Sequence, residues 1–262
     1  MTPGELLTAY DERLRESAEV ARARACEKHG PVLWAEFSHG GFVTYRDLQG
    51  LAGEPLDRLI AETVAHFRDD TSVSRFEWKT RGHDVPADLG EHLVAHGLVA
   101  EERETVMIGE AERLAVGVRL DAGIVVRRAG DGGELMDDLR RVIALQEGVF
   151  GLGRGPRLEE SLAELEGGDT EFWLAETEGD VVCAGRLTVV PGTDFAGVWG
   201  GGTAPEWRGR GIYRAVVSAR ASSALQRGVR FLHSDCTDMS RPILERSGLL
   251  AVTTTTPYVW TR

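Results

Sequence analysis

The stretch Pro205-Glu206-Trp207-Arg208-Gly209-Arg210-Gly211-Ile212-Tyr213-Arg214 decides how this chain reads. Two glycines alternate with arginines immediately before an apolar helical pattern. Glycine lets the backbone turn sharply and approach a ligand closely. The start of a helix leaves amide N–H groups unsatisfied and carries partial positive charge, which suits anions and phosphates above all. From Trp207 to Ser234 there are six arginines (208, 210, 214, 220, 227 and 230) and no Asp or Glu, in a chain of net charge -12. A positive island in an acidic protein points to one anionic ligand rather than to general polyanion binding. Two familiar phosphate loops are excluded. A dinucleotide fingerprint needs a third glycine where Arg214 stands, and a P-loop needs Gly-Lys-Ser/Thr, which is missing.

Working outward from the loop, Phe195 to Ala204 reads as a strand entering it, with Gly200-Gly201-Gly202 predicting a bulge or a close backbone approach. Ile212, Ala215, Val216 and Ala219 share one helical face, and Gly228 stops that helix. Val229 to His233 is a strand, Arg241 to Arg246 a short helix, and Leu250 to Trp260 a β-rich end. On the N-terminal side, Ile124 to Arg127 is a short strand and Glu134 to Glu147 a helix. The Gly151–Pro156 run is a glycine-rich loop and Leu158 to Leu165 a helix. Phe172 to Glu176 and Val181 to Val190 form a hairpin around Glu178-Gly179-Asp180.

The first part of the chain opens on a capping box, Thr2-Pro3-Gly4-Glu5, from which a helix is expected to run to about Lys28, ended by Gly30-Pro31. Strands follow at Val32–Phe37, Gly40–Tyr45, Val73–Lys79 and Glu104–Ile108. A helix containing Leu56, Leu59, Ile60, Val64 and Phe67 and a short one ending at Gly97 lie between them. The boundary between the two halves is placed at 111–122, giving domains 1–115 and 122–262.

Arg208-x-x-Gly211-x-Tyr213 resembles the acyl-CoA loop of the GNAT superfamily of N-acyltransferases, Arg/Gln-x-x-Gly-x-Gly/Ala, with Tyr213 in place of the small last residue. The order β-α-α-β-β-β-α-β-α-β over residues 122–262 is similar to that fold. So is Arg241–Leu249, a helix closing on Gly and an apolar residue. The halves also resemble each other. Arg75-Phe76-Glu77-Trp78, Asp84, Pro86 and a helix to Gly97-Leu98 parallel Arg230-Phe231-Leu232-His233, Asp238, Pro242 and a helix to Gly248-Leu249. The expected architecture is therefore α/β (α+β): a tandem GNAT fold with a mixed central sheet flanked by helices in each half. The first copy is degenerate, because Gln49–Pro55 lacks arginine and carries Glu54 where a pyrophosphate would be repelled. It is expected to pack and to shape the acceptor cleft instead of binding cofactor.

The resemblance implies acetyl transfer from acetyl-CoA, as co-substrate, to a primary amine of a small molecule. It assigns cofactor contacts to Arg208, Gly209, Arg210, Gly211, Ile212 and Tyr213, and to Thr203 and Ala204 along the pantetheine arm, although Thr203 also reads as an ordinary strand threonine. At the position where many members carry a proton-donating Tyr, this chain has Leu244, and a leucine donates nothing. Tyr258 is the nearest alternative donor in type, or a structural tyrosine. Asp235, two residues from His233 on a strand, is the candidate base, or a cap for the next turn. The alternative function is a GNAT-fold sensor that binds acyl-CoA without turnover.

Other features have plainer readings. His92 and His96 lack the glutamate of a zinc-protease motif and read as a solvated helix face. No Gly-x-Ser-x-Gly elbow exists. Cys26, Cys183 and Cys236 are odd in number and scattered, which predicts reduced thiols and no zinc site. The reduced thiols and the absence of a signal-like or membrane-length apolar run predict a cytoplasmic protein, and a monomer or homodimer is expected. The acidic balance speaks against nucleic acid and membrane partners.

Overall fold

The computed structural model of the chain describes residues 1–151 and 157–262. Its elements are α1 (Pro3–Arg13), β1 (Ala25–His29), β2 (Val32–Phe37), β3 (Gly40–Thr44), α2 (Glu54–Ala65), β4 (Arg75–Arg81), α3 (Leu89–Ala95), β5 (Val99–Ala100), β6 (Glu104–Glu110), α4 (Ala111–Leu114), β7 (Val125–Arg128), α5 (Leu135–Phe150), α6 (Leu158–Glu166), β8 (Thr170–Thr177), β9 (Asp180–Val189), β10 (Phe195–Thr203), α7 (Ile212–Gln226), β11 (Phe231–Cys236), α8 (Arg241–Ser247) and β12 (Leu250–Thr261). The chain forms two compact units. The first comprises 1–107, 235–242 and 251–262, and the second 108–234 and 243–250. Most strands and helices lie within a few residues of where the pattern puts them. Of the Gly151–Pro156 loop, residues 152–156 lie outside the described residues.

The expectation for the first helix fails. The helix from Pro3 does not reach Lys28 but stops at Arg13, and Ala25–His29 is a strand paired antiparallel with β2, Ala25 facing Glu36 and His29 facing Val32. The capping box forms as expected, with Glu5 N–H on the Thr2 hydroxyl and the Glu5 carboxylate on Thr2 N–H. Beyond Leu14, however, no apolar stripe remains to bury. Residues 25–28 are all exposed, so strand pairing with β2 decides their state.

In the first unit the strand order is β1-β2-β3-β4-β12-β6, with β5 on β12. β2 and β3 are antiparallel, β3 and β4 parallel, and α2 is the crossover between them. Trp34, Val43, Tyr45, Phe76 and Trp78 point to one face and pack with Leu56, Ile60 and Phe67. Each such large apolar side chain contributes about 1.5–3 kcal/mol on burial. A side chain on Gly41 would lie 2.4 Å from the Phe67 ring, so the packing on β3 of the helical turn His66–Asp70, which follows α2, requires a glycine there.

In the second unit the order is β11-β10-β9-β8-β7. Antiparallel β9 and β10 are followed by β11 parallel to β10, with α7 as the crossover. The antiparallel-then-parallel scheme of β2-β3-α2-β4 is thus repeated in β9-β10-α7-β11. The repetition extends to the short helices. Leu98 N–H bonds Leu93 O and Leu249 N–H bonds Leu244 O, both at 3.1 Å. Gly97 and Gly248 lie between at φ 88° and 108°, the 6→1 closure of a Schellman end. α5 is fastened by Asp138, which is 1% exposed and takes Arg127 in a two-pronged ion pair and Gly130 N–H at 2.9 Å. Hydrogen bonds from Arg127, against the opposing effect of burial, hold the Asp138 carboxyl below its usual range.

Candidate functional site

β10 runs beside β11 in parallel only over Phe195–Gly197, the last pair being Gly197 with His233. Immediately after it, the pairing of β10 with β9 slips by one residue between Trp199 and Gly202. This is the bulge that the three glycines predict. Gly200 adopts φ 59°, a left-handed conformation that favours glycine, and its carbonyl accepts from Gln146 Nε2 at 2.8 Å. A side chain on Gly201 would lie 2.7 Å from the Tyr213 hydroxyl, and one on Gly202 would press on Val149 and Phe150. The bulge thus brings bare backbone against α5 and against the first turn of α7. Trp199 meets the His233 ring edge-on at 5.2 Å.

After Thr203 the chain makes a short 3₁₀ turn, Pro205–Trp207, and the loop follows. Arg208 Nε donates to Thr203 O at 3.1 Å, tying the loop to the end of β10. The Arg210 guanidinium lies 4.6 Å over the Trp207 ring. Gly209 and Gly211 both have φ 77°. Gly211 is the N-cap of α7, no side chain caps that end, and the first turn holds no acid. Arg208, Gly209, Arg210 and Gly211 are exposed, whereas Ile212 is buried against Ala175, Val182, Cys183 and Val216. An uncapped helix start of this kind, fringed by arginines, can hold a phosphate. Beside it, a cavity of about 460 Å³ is walled by α5, by Asp180–Val182 and by Ala204–Trp207.

The other residues singled out from the sequence are placed as follows. Thr203 is buried, its hydroxyl 3.2 Å from Cys183 Sγ, and Ala204 N–H is bonded to Val182 O. Burial pushes the Cys183 thiol up to about 11, against the Thr203 hydrogen bond, so it is an inert thiol. Leu244 is 2% exposed; its counterpart in the repeat, Leu93, is also a buried leucine, and both accept the closing bond of their helix. Asp235 and Tyr258 belong to the first unit. Asp235 Oδ2 accepts from Lys79 Nζ at 2.6 Å. Burial disfavours the Lys79 ammonium, but the Asp235 carboxylate outweighs it and holds the lysine above its ordinary value. Tyr258 lies on β12 opposite Trp78, its hydroxyl where a side chain on Gly90 would be.

Arg220, counted from the sequence among the six arginines of the positive island, is placed differently from that reading. It lies on α7 two turns after Tyr213 and is fully buried. Its Nε donates to Val216 O and its Nη1 to Arg186 O, and among the described residues no carboxylate pairs with it. Its guanidinium fills the space where Gly185 has no side chain. Burial pulls its pKa down, while Tyr213 and Cys183 beside it pull the other way. Helical spacing from Tyr213 was the only available signal, and an arginine on a helix is normally read as exposed. No group of three or more His, Cys, Asp or Glu among the described residues could hold a metal ion.

Residues 136–244 match the model of the Acetyltransferase (GNAT) family. No curated protein sequence matches the chain. Among solved structures, the GCN5-related N-acetyltransferase from Kribbella flavida superposes with a TM-score of 0.69 at 14% identity, over 98% of this chain and 95% of that one. The GCN5-related N-acetyltransferase from Sphaerobacter thermophilus gives a TM-score of 0.64 at 17% identity, over 88% and 76%. A tandem GNAT protein from the clavulanic acid biosynthesis pathway gives 0.61 at 14% identity, over 88% and 78%. At these identities the likeness is one of fold.

Proposed function

We propose that this chain, whose residues 136–244 match the model of the Acetyltransferase (GNAT) family, transfers an acetyl group from acetyl-CoA to the primary amine of a small molecule. The family uses acetyl-CoA as co-substrate. The observation that carries the reading is the start of α7: a glycine N-cap at φ 77°, no capping side chain, no acid, and exposed Arg208 and Arg210 alongside. In this reading the pyrophosphate lies on Gly209–Tyr213, and Thr203 and Ala204 border the pantetheine arm. The first unit is a degenerate copy of the second, a reading supported by the repeated topology of β2-β3-α2-β4 and β9-β10-α7-β11.

Chemically, the acceptor ammonium loses a proton, its nitrogen bonds to the thioester carbonyl carbon and gives up a second proton, and the C–S bond breaks to release a thiolate that takes up a proton. Orienting an amine beside the carbonyl supplies several kcal/mol, and backbone donors at the developing oxyanion supply a few more. A thiolate is an acceptable leaving group without full protonation. Leu244 offers no proton, and Asp235 is engaged with Lys79. We therefore assign Asp235 and Tyr258 to minor roles as base and acid, with positioning supplying most of the acceleration. Leu244 also favours a second reading, an acyl-CoA sensor without turnover. Following thiol release from acetyl-CoA with a panel of primary amines separates the two. Amine-dependent release supports the transferase, and tight CoA binding with no release by any amine overturns it.

A further inference from the structure

A second cavity, of about 310 Å³, opens within the first unit, lined by Glu19, Phe37, Phe42, Arg75, Glu77 and Lys79 together with His39, Gly40 and Gly41. Phe42 and Glu77 are register partners on parallel β3 and β4. Ala35 faces Phe42 across β2 and β3, which puts Phe37 on the same face. This face is opposite to the one that Trp34, Val43, Phe76 and Trp78 present to the core. The Phe37 and Phe42 rings meet edge to face at 6.3 Å, and His39 stacks on Phe37 at 5.4 Å. The cavity therefore has an aromatic wall and a charged floor.

The charges on that floor are committed, with one exception. Glu19 accepts from Arg81 and from the Thr44 hydroxyl, one oxygen to each. Lys79 donates to Asp235. Arg75 pairs loosely with Glu101 at 3.7 Å. Glu77 accepts no hydrogen bond and joins no ion pair among the described residues, although it is half-buried. Its carboxyl is pushed up by burial, drawn down by Lys79, pushed up again by Glu101, drawn down by Arg75 and raised by Glu19. A half-buried carboxylate without a partner lacks the charge-assisted hydrogen bond that such groups normally have.

We infer that this cavity is a binding site for a small organic ammonium carrying an apolar group, its N–H on the Glu77 carboxylate and its apolar part against Phe37 and Phe42. The volume is at the small end for a ligand pocket. Burial of the apolar part against the two rings adds to the ion pair, and neither contact asks Glu19 or Lys79 to give up its present partner. The groups that would hold the ligand, Glu77, Phe37 and Phe42, are not among the residues assigned to acyl transfer.

Titration calorimetry on the full chain without any thioester tests this, using benzylamine, 2-phenylethylamine and n-hexylamine, with benzyl alcohol as the neutral control. At least one amine is expected to bind at a single site, at least about tenfold more tightly than the alcohol. Glu77→Gln, which keeps the shape of the side chain, should weaken it at least about tenfold while the thermal midpoint stays close to that of the parent. Phe42→Leu should weaken it several-fold with Glu77 in place. No binding by any of the three amines, or equal affinity in Glu77→Gln, overturns the assignment.

Discussion

The starts of α2 and α7 occupy the same place in a repeated β-β-α-β scheme, and they are chemically opposite. Both have a glycine N-cap with positive φ, Gly53 at 55° and Gly211 at 77°, and neither is capped by a side chain. At α2 the first turn carries Glu54, Pro55 and Asp57, and Asp57 takes hydrogen bonds from His92 at 2.7 Å and His96 at 3.2 Å. At α7 the first turn carries no acid and the flanking residues are arginines. Backbone geometry makes both ends hospitable to an anion; side-chain charge leaves only one so. The pair teaches that a helix start is a phosphate site by permission of its neighbours.

The most damaging test of this comparison reverses the charge at α7. Arg208→Glu with Arg210→Glu is expected to abolish CoA binding, weakening it on the order of a hundredfold or more, since each charge-assisted hydrogen bond lost contributes about 1.5–3 kcal/mol and the new carboxylates repel the phosphates. Before the change, titration of the intact chain with acetyl-CoA should give one site, and afterwards none. Two equivalent sites in the parent protein would break the comparison outright.

Gly211→Val comes next. A β-branched residue at φ 77° costs about 1–3 kcal/mol and blocks backbone approach, so CoA affinity should fall about tenfold or more with the protein still folded. Unchanged affinity by calorimetry would remove the loop from the cofactor's path.

Tyr258→Phe sharpens the comparison where it meets catalysis. Turnover is expected to drop by less than about tenfold, whereas a true general acid supplies roughly a hundredfold or more. The rate should rise with pH as the acceptor amine loses its proton, with no sharp alkaline fall. A bell-shaped profile whose upper limb disappears in Tyr258→Phe would restore Tyr258 as the donor.

The smallest effect is at α2. Its hydrogen bond with Asp57 raises the His92 pKa above the ordinary histidine value, and the His92 bond lowers that of Asp57. The His92 contribution to stability is fully present below about 6.5 and is lost as pH rises through the raised folded value. The Asp57 contribution is present above about 3.9 and is lost as pH falls through the lowered folded value. The thermal midpoint should therefore exceed that of Asp57→Asn most between about pH 5 and 6, with the gap closing at alkaline pH. A gap that widens above neutrality contradicts this account of the α2–α3 contact.

Much of the molecule was legible in the linear chain. The start of α7 was readable because glycine spacing, arginine density and helical period are all local. The bulge in β10 was announced by Gly200-Gly201-Gly202, since glycines weaken a strand and mark places where the backbone bends or is closely approached. The stop of α3 and of α8 at a glycine followed by leucine was equally local.

What the sequence by itself determined is therefore most of the elements, their order, and a helix start at α7 fringed by glycine and arginine. Each depends on residues within a few turns or pleats of one another, where steric and charge preferences act directly. Tertiary structure alone decided the rest. Residues 25–29 became a strand because β2 was there to pair with them. Arg220 became a buried cation because Gly185 left room for it. Asp235 took Lys79, 156 residues away, and Glu77 was left facing an aromatic cavity. The last strand joined β4 in the first unit rather than remaining with the second. These outcomes depend on which distant surfaces meet, and a single sequence carries no local signal for that.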